Sequence, residues 1–139
     1  DTMNEDSRLL TSPAGCATLG AKEKTMIKKL SQMETKVNEH MRGGAGSVQV
    51  LELMGKNDVS HCRMFSKLTI KPGCSIGKHE HVNETEYYWI LEGEGIVTES
   101  DGDKLVKAGD LVITGGGASH AIRNDGDKDL VFLALIILD

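Results

Sequence analysis

The sequence predicts an all-β fold, a β-sandwich or β-barrel of short strands, and three observations support this prediction. Short apolar segments recur between turn signals from residue 47 to residue 138, enough for about eight or nine strands. Glycine is abundant, with 16 residues that follow no fixed period, whereas proline is rare, with 2. Many tight turns and an apolar C-terminal run over residues 130–138, which suits a buried strand, fit the same fold class.

The predicted strands follow from period-two alternation and from the turn residues between them. Lys71, Pro72 and Gly73 form a turn signature, and Asp101 with Gly102 is a favoured two-residue hairpin turn. The predicted strands cover residues 47–54, 62–70, 76–81, 84–93, 94–100, 103–109, 110–115, 119–124 and 129–138.

Three regions of the chain are expected. Residues 1–25 are polar and lack a period, so we expect a leader or a flexible arm there. Residues 26–46 are predicted to be an N-terminal arm with a short helix followed by a strand, because apolar residues recur there at helical spacing. An extended arm that pairs with a neighbour is the alternative. Residues 47–139 are predicted to form the β-barrel domain.

Composition excludes several classes of partner. The net charge is −5, and no basic stripe could neutralise phosphates, so we expect no nucleic-acid partner. No apolar run reaches membrane-spanning length, and the N-terminus lacks the pattern of a signal peptide, so we expect no membrane. The 3 cysteines have no CxxC spacing, which indicates free thiols in a reducing cytoplasm.

One group of side chains has the composition of a metal site. His79 and His81 lie in a predicted strand and point the same way, about 6.6 Å apart along the chain. Glu86 lies in the next strand, and His120 follows a glycine run further on. Three imidazoles and one carboxylate suit Mn, Fe, Co, Ni, Cu or Zn, and suit Mg or Ca poorly. Four protein ligands would leave two open positions on an octahedral ion, which a site that performs chemistry needs.

These residues fall into two sequence motifs, and through them the chain resembles the cupin superfamily. The first motif, Gly-x5-His-x-His-x4-Glu-x6-Gly, is matched by Gly73, His79, His81, Glu86 and Gly93. The second, Gly-x5-Pro-x-Gly-x2-His-x3-Asn, is matched by Gly109, Gly117, His120 and Asn124, with Gly115 in place of the usual proline. The motifs span residues 73–124, and the strand pattern fits a small single-domain cupin.

The resemblance implies the remaining architecture and the cofactor. It implies a conical antiparallel β-barrel of two sheets, a double-stranded β-helix or jelly roll, with a short N-terminal arm or helix. It implies one divalent transition metal per chain, held by His79, His81, Glu86 and His120, with manganese or iron favoured over zinc, nickel, cobalt or copper. It also implies a homodimer, often with exchanged N-terminal arms.

Four further residues carry weaker expectations. Tyr88 shares a strand face with Glu86 and is either a pocket-wall residue or a phenol that donates a hydrogen bond or proton to a metal-bound substrate. His61 lies in a predicted loop, where a solvated role is the commoner one, and it is the second catalytic candidate. Arg63 is predicted to be at the surface, and Trp89 to face away from the metal.

The predicted function is that of a metal-dependent enzyme acting on a small substrate. A divalent ion with one carboxylate ligand keeps a net positive charge, which favours bidentate, oxygen-rich molecules such as keto acids, hydroxy acids, oxalate-like dianions or sugar carbonyls. Dioxygenase, decarboxylase, isomerase and lyase activities all occur on the cupin scaffold, so the fold does not choose among them. The alternative is a non-catalytic small-molecule-binding or sensor cupin.

Overall fold

The computed structural model describes residues 25–139, and within this range ten strands form two sheets. The strands are β1 (Glu34–Glu39), β2 (Ser47–Met54), β3 (Cys62–Ile70), β4 (Ser75–Glu80), β5 (Glu84–Glu92), β6 (Glu94–Glu99), β7 (Gly102–Lys107), β8 (Leu111–Gly115), β9 (Ser119–Arg123) and β10 (Leu130–Leu138). One sheet has the order β1-β2-β3-β10-β5-β8 and the other the order β4-β9-β6-β7, with antiparallel pairing throughout. The predicted antiparallel barrel of two sheets is confirmed.

The predicted strands are all present, with ends that differ by no more than two residues. One hairpin differs in register from the prediction. Glu99 pairs with Gly102, so the two-residue loop consists of Ser100 and Asp101 and not of Asp101 and Gly102. Gly102 has a positive φ of 124° and begins β7, which places the conformational freedom of glycine at the strand end.

The N-terminal arm differs from the predicted helix and strand. The helix is reduced to one 3₁₀ turn over Leu30–Gln32, because Met26, Ile27 and Leu30 are all exposed and no apolar face packs to stabilise further turns. The strand is present as β1, and it pairs with β2 of the same chain at the edge of the six-stranded sheet. The predicted leader or arm over residues 1–25 lies outside the described residues, apart from its last residue.

The core lies between the two sheets and follows the alternation of each strand. In β5, Tyr88 and Ile90 are buried with Glu86, whereas Trp89 is exposed on the opposite face, as predicted. Phe132 of β10 is fully buried against Tyr88, with ring centroids 4.5 Å apart. Burial of each such large apolar side chain stabilises the fold by about 1.5–3 kcal/mol. The largest buried aliphatic side chains around them are Leu68, Ile70, Ile76, Ile122 and Leu130.

The glycine cluster after β1 packs its backbone directly on β4. A Cβ atom at Gly44 would lie 2.2 Å from the Ser75 carbonyl oxygen, and one at Gly77 would lie 2.0 Å from the Arg42 carbonyl oxygen. Glycine is therefore needed on both sides of this contact. Ala45 and Ser75 complete it, because the Ser75 N–H donates to the Ala45 carbonyl and the Ala45 N–H donates to the Ser75 hydroxyl. The turn thus holds β4, the strand that carries His79, in place.

Two further expectations concern thiols and membrane spans. Cys62 and Cys74 are free thiols, as expected, and Cys16 lies outside the described residues. In residues 25–139 no helix has the length and apolar character needed to cross a bilayer.

Candidate metal centre

The two sheets together bring four predicted ligands to one point between them. His79 on β4 and His120 on β9 are direct cross-strand partners in the four-stranded sheet, and His81 follows β4. Glu86 comes from β5 of the six-stranded sheet. Since period-two alternation points each of these side chains inward, the four ligand atoms all lie within 4.8 Å of one another.

The distances between the ligand atoms fit a single ion. The Nε2 atom of His120 lies 3.1 Å from Nε2 of His79, 3.1 Å from Nε2 of His81 and 3.0 Å from Oε1 of Glu86. Oε1 of Glu86 lies 2.9 Å from Nε2 of His81 and 3.6 Å from Nε2 of His79. Adjacent ligands about 2.1 Å from an octahedral centre would be about 3.0 Å apart. The group can therefore hold one transition-metal ion.

Hydrogen bonds at Nδ1 leave the Nε2 atoms of His79 and His81 able to bind an ion. His79 Nδ1 lies 2.8 Å from the Gly77 carbonyl oxygen, and His81 Nδ1 lies 2.5 Å from Oε2 of Glu84. Both partners can only accept, so each Nδ1 carries the proton and each Nε2 presents a lone pair to the centre. Two lone pairs and a carboxylate oxygen in van der Waals range repel one another unless a cation or proton lies among them. The donor chemistry thus fits a metal ion.

The third imidazole has a partner of a different kind. His120 Nδ1 lies 2.8 Å from the Thr114 hydroxyl oxygen, and a hydroxyl can donate or accept. Without an ion, His120 Nε2–H can donate to Glu86 while Thr114 donates to Nδ1. With an ion, Nδ1–H can donate to Thr114 and Nε2 can ligate. Thr114 can therefore pair with Nδ1 whether the single ring proton of neutral His120 lies on Nε2 or on Nδ1, and the second tautomer leaves Nε2 able to ligate.

The titration behaviour of the site favours the metal-binding protonation state. Burial alone would raise the pKa of Glu86, but hydrogen bonds with His120 and His79 and the nearby imidazoles outweigh it and hold that pKa at about 2. Burial also lowers the pKa of His120 below its usual value, against the opposing effect of Glu86. The carboxylate is thus ionised and the imidazole neutral at neutral pH.

Glu84 and Arg63 form an ion pair beside the site that the sequence motifs do not contain. Arg63 Nε donates to Oε1 of Glu84 at 2.8 Å, and Arg63 Nη2 donates to Oε2 at 2.7 Å. This bidentate pairing is the main reason that the pKa of Glu84 falls to about 2. Arg63 is partly exposed, as predicted, but its fork is bound to Glu84 and not simply solvated. Glu84 and Thr114 are the two residues around the ligands that the sequence analysis did not identify.

The glycine run before His120 fixes the backbone of His81. The Gly117 N–H donates to the His81 carbonyl at 2.8 Å, and the His81 N–H donates to the Ala118 carbonyl at 3.0 Å. Gly116 and Gly117 have φ values of 66° and 88°, which other residues rarely adopt. One turn therefore holds His81 on both sides and leads directly to His120.

Gly115 occupies the position where the family motif usually has proline. A steric contact explains the glycine in this chain. It lies opposite Thr85 in the β5–β8 pairing, and a Cβ atom there would lie 2.4 Å from the Thr85 hydroxyl oxygen. A larger side chain at this position would displace Thr85, which stands next to Glu84 and Glu86. Glycine at position 115 thus leaves room for the Thr85 side chain, and the turn that follows still places His120 in the ligand group.

Tyr88 lies against the ligand group. Its ring stacks on that of His120, with centroids 5.0 Å apart and planes 17° apart. Burial raises the pKa of Tyr88 well above 10, and the neighbouring Glu86 carboxylate raises it further. The phenol is therefore a wall of the site that keeps its proton at neutral pH.

Two other predicted residues lie outside the ligand group. His61 is exposed in the loop before β3, and its backbone carbonyl accepts from the Leu138 N–H. Asn124, the last motif residue, is buried, and its amide donates to the carbonyls of Ile70 and Lys128. Asn124 thus closes the loop before β10 and supports the fold.

Comparison with known proteins gives the same fold and ligand region. The family model described as a cupin domain matches residues 66–136, a range that contains all four ligand candidates. An oxalate-binding protein of Thermotoga maritima is 41% identical over 114 residues, which are 81% of this chain and 94% of that protein.

Solved structures agree. The crystal structure of a predicted oxalate decarboxylase from Thermotoga maritima is 40% identical, with a TM-score of 0.78, and the match covers 82% of this chain and 100% of that chain. A sugar phosphate isomerase of the cupin superfamily from Silicibacter pomeroyi has a TM-score of 0.67 at 18% identity, over 82% of this chain and 76% of that chain. The second likeness concerns the fold alone.

Proposed function

Since the chain belongs to the cupin family, we propose that it holds one divalent transition metal and binds a small dicarboxylate of the oxalate kind at that ion. The observation that carries the proposal is the convergence of three imidazole Nε2 atoms and one carboxylate oxygen on one point. His79, His81, Glu86 and His120 would be the ligands. Manganese or iron is the proposed ion, since both suit a nitrogen and oxygen ligand set.

The size and charge of the ligand follow from the open positions. Four protein ligands on a six-coordinate ion leave room for two oxygens of one bidentate molecule. An ion with one carboxylate ligand keeps positive charge, so a dianion is favoured over a neutral sugar. The relative named as an oxalate-binding protein and the structure named as a predicted oxalate decarboxylase support the same ligand class.

Decarboxylation is the reaction that the pocket wall supports best. When bound, the ion would act as a Lewis acid that polarises the carboxylate oxygens. Loss of carbon dioxide breaks a carbon–carbon bond, and the carbon that keeps the electron pair must receive a proton. Tyr88 is a buried phenol that retains its proton beside the ligand group, so we assign it the role of proton donor. Non-catalytic binding of the same dianion is the second candidate, and it needs no proton donor.

Metal analysis of the purified protein is the first test. We expect about one equivalent of a transition metal per chain in the wild type, and loss of that metal in the His79→Ala/His81→Ala double variant. His61→Ala, a histidine outside the ligand group, is the matched control and should keep full occupancy. Full occupancy in the double variant would show that the ligand assignment is wrong.

Oxalate binding is tested first, and the reaction with oxalate is tested second. Oxalate should raise the melting temperature of metal-loaded protein by mass action and should leave metal-stripped protein unchanged, whereas acetate should do neither. Formate and carbon dioxide are then measured with oxalate as substrate, together with oxygen uptake by the iron-loaded protein. Stabilisation without product would favour the binding candidate, and oxygen uptake would favour a dioxygenase.

An apolar face of the six-stranded sheet supports the proposed homodimer. Trp89, Leu111 and Ile113 are 50%, 54% and 58% exposed on β5 and β8. On the same face is a groove of about 420 Å³, which is lined by Phe65, Tyr87, Trp89, Leu111, Leu133 and Leu135. Large contiguous apolar patches of this kind usually mark interfaces, and a two-fold axis would bury the patch against its copy. We therefore assign this face to a second copy of the chain. A cytoplasmic location remains a prediction.

A further inference from the structure

We infer that Arg63 and Glu84 form a positioning pair that sets the metal affinity of the site by holding the ring of His81. The inference rests on the metal centre proposed above, and the experiment below separates failure of the pair from failure of that centre.

The Glu84 carboxylate is held from three directions. It accepts two hydrogen bonds from the Arg63 fork, at 2.8 and 2.7 Å, and one from His81 Nδ1, at 2.5 Å. Glu84 itself is only 8% exposed. A planar guanidinium that binds a carboxylate through two parallel bonds fixes the plane of that carboxylate as well as its position. Oxygen Oε2 is thereby aimed at His81 Nδ1.

His81 differs from the other two histidines in its acceptor. His79 donates to the neutral carbonyl of Gly77, and His120 faces the neutral hydroxyl of Thr114. Among the three ligand histidines, only His81 has a carboxylate as the partner of its Nδ1 atom. A carboxylate acceptor raises the basicity of the ligating nitrogen and fixes the ring, and such partners typically change metal affinity by about 10–100-fold. His81 is therefore the ligand whose strength depends most on a neighbour.

The ion pair also connects strands that are not adjacent. Cys62 and Met64 of β3 pair with β10, and Leu138 of β10 pairs with Glu84 of β5, so Arg63 reaches across the end of β10 to its partner. Its side chain is 41% exposed, whereas that of Glu84 is 10% exposed. An exposed arginine thus holds a buried carboxylate at the metal ligand. Ordinary surface ion pairs, such as Lys71 with Asp129, have two exposed partners and contribute little.

Zinc affinity is the direct test, because Zn²⁺ suits the ligand set and gives interpretable NMR spectra. Dissociation constants are measured by competition with a chelator for wild type, Glu84→Gln, Arg63→Met, the double variant and Lys71→Met. We expect Glu84→Gln to weaken binding about 10–100-fold. Arg63→Met should weaken binding by a smaller factor, since Glu84 keeps its charge and loses its orientation. Lys71→Met should bind as the wild type does.

The double variant decides whether Arg63 acts through Glu84. If it does, the double variant binds Zn²⁺ no more weakly than Glu84→Gln alone. Fully additive losses would overturn the positioning pair. Arg63→Lys keeps the charge and removes the fork, so weaker zinc binding by this variant with unchanged resistance of the metal-free protein to urea would support orientation as the cause.

Nitrogen-15 spectra of the histidine rings give a readout that stability alone would not move. In zinc-loaded wild type the His81 Nδ1 proton should resonate far downfield, as a short bond to a carboxylate requires, and this signal should shift upfield in Glu84→Gln. If wild type fails to bind Zn²⁺, the metal centre itself is refuted. If wild type and Glu84→Gln bind Zn²⁺ equally well, the positioning role is refuted and the metal centre stands.

Discussion

The Thr114 hydroxyl and His120 Nδ1 lie 2.8 Å apart and form a hydrogen bond between the two sheets at the metal site. Thr114 belongs to β8 of the six-stranded sheet, where it stands directly opposite Glu86, and His120 belongs to β9 of the four-stranded sheet. The His120 imidazole therefore contacts both Glu86 and the Thr114 hydroxyl, and these two residues are cross-strand neighbours. This arrangement fixes the ring of His120 relative to the other sheet.

Replacement of Thr114 by valine should weaken metal binding and lower stability. The isosteric change removes the acceptor that Nδ1–H of His120 needs when Nε2 ligates, and it leaves a buried polar group unpaired. We expect metal affinity to fall by about 10–100-fold and the metal-free protein to lose about 1–3 kcal/mol in urea unfolding. Thr69→Val, on the outward face of β3, is the control and should change neither quantity. Unchanged affinity in Thr114→Val would show that the hydroxyl does not orient His120.

Removal of the Tyr88 hydroxyl should separate chemistry from binding. Tyr88→Phe keeps the ring that stacks on His120, so metal content and the oxalate-induced rise in melting temperature should be preserved. If the phenol supplies the proton, the rate of formate production should fall by about 10²–10⁴-fold. Tyr87→Phe, on the opposite face of β5, should retain the wild-type rate. Equal rates in Tyr88→Phe and wild type would limit Tyr88 to the role of a wall.

Metal retention should depend on pH through the His120 imidazole and not through the Glu86 carboxylate. Glu86, with a pKa of about 2, stays ionised throughout mild acidification. A lowered pKa means that His120 binds fewer protons at any given pH, so proton competition at this ligand begins below the ordinary histidine value of about 6.5. Equilibrium dialysis between about pH 8 and pH 4 should show metal bound at the upper end and released as pH falls below that value. Release that is complete at pH 7 would contradict this ordering.

The apolar face of the six-stranded sheet should control oligomeric state. Trp89→Glu combined with Ile113→Glu places two charges in the exposed patch and should convert a dimer to monomers in sedimentation velocity. Leu105→Glu, at an equally exposed apolar position on β7 of the other sheet, is the control and should leave the dimer intact. A wild type that sediments as a monomer at all concentrations would refute the dimer.

Features that follow from periodicity or from fixed residue spacing were predictable from the sequence. Alternation located the strands to within two residues, and it placed Tyr88 inside and Trp89 outside. The sequence motifs predicted that His79, His81, Glu86 and His120 converge, and their ligand atoms lie within 4.8 Å of one another because strand pairing brings them together. Within the predicted barrel strands, the deviations were at strand ends and in the loop of one hairpin, since these depend on local backbone angles.

Features that depend on contacts between distant segments were not predictable. Arg63 and Glu84 are 21 positions apart and meet only because β10 lies between β3 and β5. The period of the N-terminal segment indicated a helix, but Met26, Ile27 and Leu30 are exposed and do not pack on the barrel, and a 3₁₀ turn forms at Leu30–Gln32 instead. The steric reason for Gly115 in place of the usual proline is the Thr85 side chain on the opposite strand, which the sequence does not show. Each case required knowledge of a tertiary neighbour.

The placement of the ligands in both sheets has a consequence for folding kinetics. His79 and His120 meet when β4 and β9 pair, but Glu86 joins them only when the second sheet docks on the first. We expect docking of the two sheets to limit the folding rate, so that an ion bound by all four ligands would be a cross-link formed after that step. Excess metal should therefore leave the refolding rate unchanged and slow unfolding, because interactions absent from the transition state act on the unfolding limb alone. Loss of metal would then shorten the lifetime of the folded chain without altering how the chain reaches its fold.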